Sequence, residues 1–182
     1  MARIRREMAP AFQDGHLDVA YLLSSCPLLD SCFFETLRLG GGTVSVRTVM
    51  SPITIGGKEL RTGNDVLILH RALHLNENVW GDSPASFDPE RFLKDRKLSS
   101  NPAYVPFGGG NTYCPGRVII RKEIYIFLAL LFDRVDVELA PDQTFPLLDD
   151  TQPSIGVAGP RPDMDLYITV RERKRSVSGG GN

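Results

Sequence analysis

Phe107-Gly108-Gly109-Gly110-Asn111-Thr112-Tyr113-Cys114-Pro115-Gly116-Arg117 is a glycine-rich loop that delivers one cysteine to the start of a strongly apolar segment. Beyond it, Val118, Ile119, Ile120, Ile124, Ile126, Phe127, Leu128, Leu130 and Leu131 predict a helix that Pro115 opens and that runs through Phe132 with almost no polar face. Such a helix is expected to be buried. A thiolate at a helix N-terminus sits near free backbone N–H groups and the positive end of the helix dipole, which suits Cys114 to serve as a sulfur ligand. Its glycines leave a flat surface, free of side chains, on which a large planar ligand can lie with Phe107 against its edge. Both features suit a macrocycle held by sulfur. The spacing Phe-x-x-Gly-x-x-x-Cys-x-Gly, carried here by Phe107, Gly110, Cys114 and Gly116, arises by chance in about one chain of this length per thousand.

Composition sets the frame around this loop. In 182 residues, 42% hydrophobic and 24% charged content supports one modest core or two small lobes, and excludes a disordered polymer. A net charge of −1 supplies no overall pull toward nucleic acid or an anionic membrane, so neither is expected as a partner on that ground. Three cysteines form no closed disulfide framework and no signal peptide precedes them, which favours a reducing compartment. Cys26 and Cys32 read as structural. The apolar stretch Ile124 to Phe132 falls far short of the roughly 20 residues that cross a bilayer, so no membrane segment is expected.

Upstream, Ile4, Met8 and Phe12 recur at helical spacing from Met1 to Phe12, and Leu17 to Leu23 predicts a second short helix. Pro27 opens a third, with Leu29, Cys32, Phe33 and Leu37 as its apolar stripe and Gly40 to Gly42 as its stop. Val44 to Val49 and Val66 to Leu69 alternate as strands of a small antiparallel sheet, separated by glycine turns. Asn76 to Asn101 is rich in Asn, Asp, Ser and Pro and predicts a long meander. Val135 to Leu139 and Leu166 to Val170 are the last strands, and residues 171–182 form a tail expected to be disordered, with basic residues before Ser176 to Asn182.

Two further groupings carry charge. Glu35 and Arg38, three apart, share one face of the third helix. By themselves they read as a solvated surface pair contributing about 0–1 kcal/mol. Arg91 lies on the Pro-flanked segment Pro84 to Phe92 and offers a second guanidinium that would complete a triad.

Together these motifs resemble, in order and approximate spacing, the cytochrome P450 heme-thiolate monooxygenases. Glu35-Thr36-Leu37-Arg38 is similar to the family's Glu-x-x-Arg helix, Phe87 to Phe92 to its Pro-Glu-Arg-Phe meander, and Phe107 to Gly116 to its cysteine loop. The resemblance implies a mainly α fold with small antiparallel β-sheets, the C-terminal, proximal portion of the cytochrome P450 fold, over residues 1–170. It implies that Glu35, Arg38 and Arg91 form a structural triad locking the meander behind the loop. It makes Cys114 the axial, catalytic iron ligand of heme b, with Phe107, Gly108, Gly110, Thr112 and Gly116 around the cofactor. Arg47 corresponds to a position that often binds a heme propionate, the alternative being an exposed strand arginine. His74, six residues before Trp80, matches a common family pattern but reads as a locally hydrogen-bonded loop histidine; His70 and His16 have no assigned role. Gly40 to Arg47 and Gln152 to Val157 resemble segments lining the substrate pocket.

Two departures stand out. Thr112 occupies a place where the family commonly has Arg or His bonded to a propionate, so looser heme is expected. The match also covers only the C-terminal part of family members, with Met1 to Phe12 resembling the helix that follows the oxygen-activating one, so a gene-model truncation or a degenerate copy is expected. The implied function is insertion of one oxygen atom from O2 into a small lipophilic substrate, with electrons from NADPH through a reductase, at the cytoplasmic face of the endoplasmic reticulum for a full-length member. The fragment alone is expected to be inactive. The alternatives are a non-catalytic heme-binding remnant and a fatty-peroxide isomerase or dehydratase of the same fold.

Overall fold

A computed structural model describes residues 1–149, 151, 154 and 156–173. The chain opens with α1 (Ala2–Met8) and a 3-10 turn (Ala9–Ala11), where Pro10 stands in place of a helical N–H donor. The pattern predicted one helix to Phe12; instead Phe12 begins a small hairpin, β1 (Phe12–Gln13) with β2 (His16–Leu17). Asp18 then caps α2 (Val19–Ser24), accepting the Tyr21 N–H. Next comes α3 (Pro27–Gly40), whose first amides lack helical acceptors. The Glu7 carboxylate accepts both the Leu28 and the Leu29 N–H at 2.9 Å, so α1 caps α3.

The expected single sheet after α3 is two separate two-stranded ones. Strand β3 (Val44–Thr48) pairs antiparallel with β6 (Asp65–Leu69), Val44 opposite Leu69, while β4 (Ile53–Ile55) and β5 (Lys58–Leu60) form an outlying hairpin. Gly56 and Gly57 both take positive φ at its turn, as a two-residue hairpin connection requires. Strand β6 runs straight into α4 (His70–His74), and the meander that follows contains short helices, α5 (Glu77–Trp80) and α6 (Arg91–Lys94), and a 3-10 stretch at Arg96–Ser100. Ser31 of α3 accepts the Phe92 and Leu93 N–H groups, each at 3.1 Å, and so anchors α6 to α3.

The last helix, α7 (Arg117–Arg134), starts two residues later than Pro115 and ends two later than Phe132, because Pro115 and Gly116 form a turn and Gly116 caps the helix. The expectation of a fully buried helix is corrected. Tyr125 and Ala129 are 0% exposed against Met8, Leu22, Leu29 and Phe33, but Ile119 is 60% and Phe127 62% exposed on the other side. Packing from α1, α2 and α3 reaches only one face. Strand β7 (Val135–Leu139) pairs antiparallel with β8 (Ile168–Glu172), which begins and ends two residues beyond the predicted strand because Val135 and Asp136 offer partners to Glu172 and Arg171. Thus the first residues assigned to the tail lie in a sheet, while Lys174 to Asn182 fall outside the described residues. The observed architecture is mainly α with small antiparallel sheets. Among the described residues no helix is long and apolar enough to cross a membrane.

Candidate functional site

Glu35 and Arg38 are not the solvated pair their spacing suggests: both side chains are 0% exposed. Burial becomes tolerable because every formal charge is answered. Arg38 donates from Nε to Glu35 Oε2 at 2.8 Å and from Nη2 to Oε1 at 2.7 Å, a bidentate pair. Its Nη1 donates to the His74 carbonyl at 2.7 Å and the Pro84 carbonyl at 2.6 Å, and the guanidinium lies 5.0 Å from the Trp80 ring. Arg91 joins them. Its Nε donates to Glu35 Oε1 at 3.1 Å and its Nη1 to the Trp80 carbonyl at 2.8 Å, while the Asp88 N–H donates to Oε1 at 3.0 Å. Burial pushes the Glu35 carboxyl up, but the hydrogen bonds from Arg38 and Asp88, the Arg38 charge and the Arg91 bond outweigh it and leave the group lowered from its ordinary value. The three sequence-assigned residues are therefore brought together, and their carbonyl acceptors belong to the end of α4 and to the meander.

An aromatic cluster carries this lock toward the loop. Phe34, Trp80, Phe92 and Tyr104 meet with ring centroids 5.0–6.1 Å apart, and the Tyr104 hydroxyl donates to the Phe34 carbonyl at 3.0 Å. After Tyr104 the chain turns into the loop. The Gly108 N–H donates to the Val105 carbonyl and the Cys114 N–H to the Phe107 carbonyl, both at 3.0 Å, so the loop folds back on its own root. Gly108 and Gly110 have φ of +76° and +62°, a conformation that side chains rarely adopt. Phe107 is half-buried and packs against the core.

Cys114 is partly exposed, and a Cβ added at Gly116 would stand 3.7 Å from its sulfur. Arg117 holds the loop from below, donating to the Cys114 carbonyl at 2.9 Å while stacking 4.2 Å from the Tyr113 ring. A Cβ at Gly109 or Gly110 would meet nothing within 4 Å, so that side of the loop is open and flat. Among the described residues no group of three or more His, Cys, Asp or Glu side chains gathers to hold a metal. One thiol on an open glycine surface therefore fits an iron that arrives with its other ligands in a macrocycle, and does not fit a bare ion.

Arg47, in β3, reaches this loop. It donates to the Thr112 hydroxyl and, at 3.4 Å, to the Gly109 carbonyl. Beyond α3, the turn near the chain end packs onto the glycine stop: Gly41 bridges to Val157, the Ala158 N–H donates to the Gly40 carbonyl at 2.6 Å, and a Cβ at Gly40 would fall 2.6 Å from Val157 Cγ1. Gln152, Pro153 and Ile155 of the pocket-like segment lie outside the described residues. Sequence reading missed Ser31, Tyr104 and the Asp30 carboxylate, which joins Arg121 and Tyr125 of α7 to α3. Arg121 and Tyr125 sit four apart on α7, but only packing shows that they meet Asp30 of α3.

The family model described as Cytochrome P450 matches residues 1–166. Cytochrome P450 7A1 of Sus scrofa is 30% identical over 164 residues, 82% of this chain and 32% of that protein. Steroid 17-alpha-hydroxylase/17,20 lyase of Felis catus is 30% identical over 160 residues, 85% of this chain and 31% of that protein. Among solved structures, the retinoic acid bound cyanobacterial CYP120A1 superposes with a TM-score of 0.77 at 27% identity, covering 94% of this chain and 38% of that one. The chain spans about a third of the length of the curated relatives it matches. A charge lock behind a cysteine loop, in one order along the chain and in one fold, leaves no doubt of kinship: this chain belongs to the cytochrome P450 family.

Proposed function

We propose that this chain is the cysteine-loop portion of a heme-thiolate monooxygenase that inserts one oxygen atom from O2 into a small lipophilic substrate. The observation that carries the reading is Cys114 itself: one partly exposed thiol, beside an open glycine surface, on a loop pinned through its own backbone. Bound heme b would supply oxygen activation, and the Cys114 sulfur would be the group that donates electron density to its iron. The chain's own residues do the holding. Cys114 would bind the metal, Gly108 and Gly110 would keep side chains off one cofactor face, Gly116 would lie beside the sulfur, and Thr112 with Arg47 would hold the cofactor's acidic groups. Glu35, Arg38 and Arg91 fix the meander behind the loop and touch no reactant.

Support for a lipophilic substrate comes from relatives whose names describe steroid and cholesterol oxidation. Electrons would come from NADPH through a reductase, and the full-length protein would work at the cytoplasmic face of the endoplasmic reticulum.

Hemin titration of the chain, followed by reduction and exposure to carbon monoxide, tests the ligand. The red-shifted band of a thiolate-bound complex is expected, and Cys114→Ala should abolish it. Survival of the band in that variant, or nitrogen ligation in the unaltered chain, overturns the assignment.

A further inference from the structure

His74 closes α4 with its side chain 0% exposed, in contact with the triad on one side and the root of the cysteine loop on the other. Its backbone carbonyl accepts Arg38 Nη1 at 2.7 Å. Its ring Nε2 faces the Val105 N–H at 3.0 Å. A Cβ at position 41 would stand 3.1 Å from the ring's Cε1 and Nδ1, so Gly41 is the residue that leaves the imidazole room to enter. The expectation of a locally hydrogen-bonded loop histidine is thereby corrected: the residue is helical and enclosed, and its ring partner lies 31 positions along the chain, because the α3 terminus and the loop root converge on it.

We propose that His74 is a positioning residue that sets the root of the cysteine loop, its unprotonated Nε2 accepting the Val105 N–H while its carbonyl anchors the triad's Arg38. A backbone N–H is accepted only by a nitrogen with a free lone pair, so the ring is neutral and its proton sits on Nδ1. That nitrogen is turned toward the Gly41 backbone without closing a full hydrogen bond. Burial, and next the neighbouring His70, push the His74 ring down to about 4, which keeps Nε2 an acceptor at neutral pH. The groups facing it are the Arg38 guanidinium, the Tyr104 ring at 5.7 Å and the His70 ring at 6.5 Å. None of these is an anion that would hold a second ring proton.

The consequence runs along the backbone. Val105 has its N–H fixed by His74 and its carbonyl by Gly108, and two residues later the Phe107 carbonyl holds the Cys114 N–H. One residue thus joins the charge lock, through its carbonyl, to the segment that carries the cysteine, through its ring. Only the last step, from loop position to sulfur–iron bonding, rests on the heme reading above.

The tautomer is testable on the full chain without heme. Nitrogen-15 spectra of the imidazole should show His74 neutral with the proton on Nδ1; a proton on Nε2 overturns the proposal. For Val105 amide exchange, His74→Phe, which fills the space but accepts nothing, should quicken exchange about tenfold, the order expected for one buried unpaired donor. In His74→Gln, whose Oε1 can stand in for Nε2, exchange should stay within about threefold of the unaltered chain. Unchanged exchange in His74→Phe, or His74→Gln exchanging as fast as His74→Phe, overturns the assignment. Should His74→Phe not fold, the tautomer and the His74→Gln comparison still decide. Hemin affinity should drop in His74→Phe and be held in His74→Gln. Loss of thiolate ligation in every form would strike the heme reading alone and leave the tautomer and exchange results standing.

Discussion

Arg47, on the strand after α3, donates to the hydroxyl of Thr112, two residues before the cysteine. A strand arginine and a cysteine-loop hydroxyl are thus hydrogen-bonded to each other across 65 positions of sequence. The strand tethers the loop.

If Thr112 is the weak anchor, Thr112→Arg should tighten hemin binding about tenfold, the worth of one added hydrogen bond to a charged group. Arg47→Ala should loosen it by a similar factor while leaving the unfolding midpoint nearly unchanged, since Arg47 is exposed. Hemin titration beside denaturant unfolding separates the two effects. Equal hemin affinity in all three proteins would remove both residues from the cofactor's surroundings.

Breaking the charge lock should act on the fold first. Arg38→Ala leaves the fully buried Glu35 carboxylate short of its bidentate partner and the His74 and Pro84 carbonyls without their donor, a loss of about 3–5 kcal/mol. Arg91 is partly exposed, so Arg91→Ala should cost less. Denaturant unfolding ranks the two, and soluble, heme-loaded yield should fall in the same order.

Acid should undo the fold in two ranges. The His74 ring lies below its ordinary 6.5, at about 4, so stability is full above 6.5 and declines as pH falls from there toward 4, where the unfolded chain binds the extra proton. The Glu35 carboxyl lies below its ordinary 4.5, so its contribution is complete above 4.5 and is lost as pH drops through the lowered folded value. Thermal unfolding against pH should show a shallower upper range in His74→Gln and a shallower lower range in Glu35→Gln, relative to the unaltered chain.

The two faces of α7 should respond oppositely. Lys at Ile119 and Phe127 should change stability by no more than about 0.5 kcal/mol while reducing fluorescence of a dye that binds exposed apolar surface. Ala129→Leu, which overfills the packed side, should cost about 1–3 kcal/mol. Unaltered dye binding in the lysine variant would locate the exposed apolar surface elsewhere.

Much of this site was legible before any coordinate. Cys114, the glycines around it and the three charged residues are tied to short local spacings, and such spacings survive in sequence because one turn or one helix face imposes them. His74, Ser31 and Tyr104 were not legible in that way. Each acts on backbone groups of a segment far along the chain, and an acceptor for a main-chain N–H leaves no mark on the residue type it serves.

By itself the sequence determined the order of its motifs and the local spacings within them, since these depend only on neighbours, and the resemblance of those motifs to a family carried the class of fold. Tertiary structure alone decided that Glu35 and Arg38 are buried, that α7 covers the core with one face only, and that a histidine holds the root of the loop. Burial and long-range hydrogen bonding are set by what other segments bring into contact, a quantity no window of residues contains.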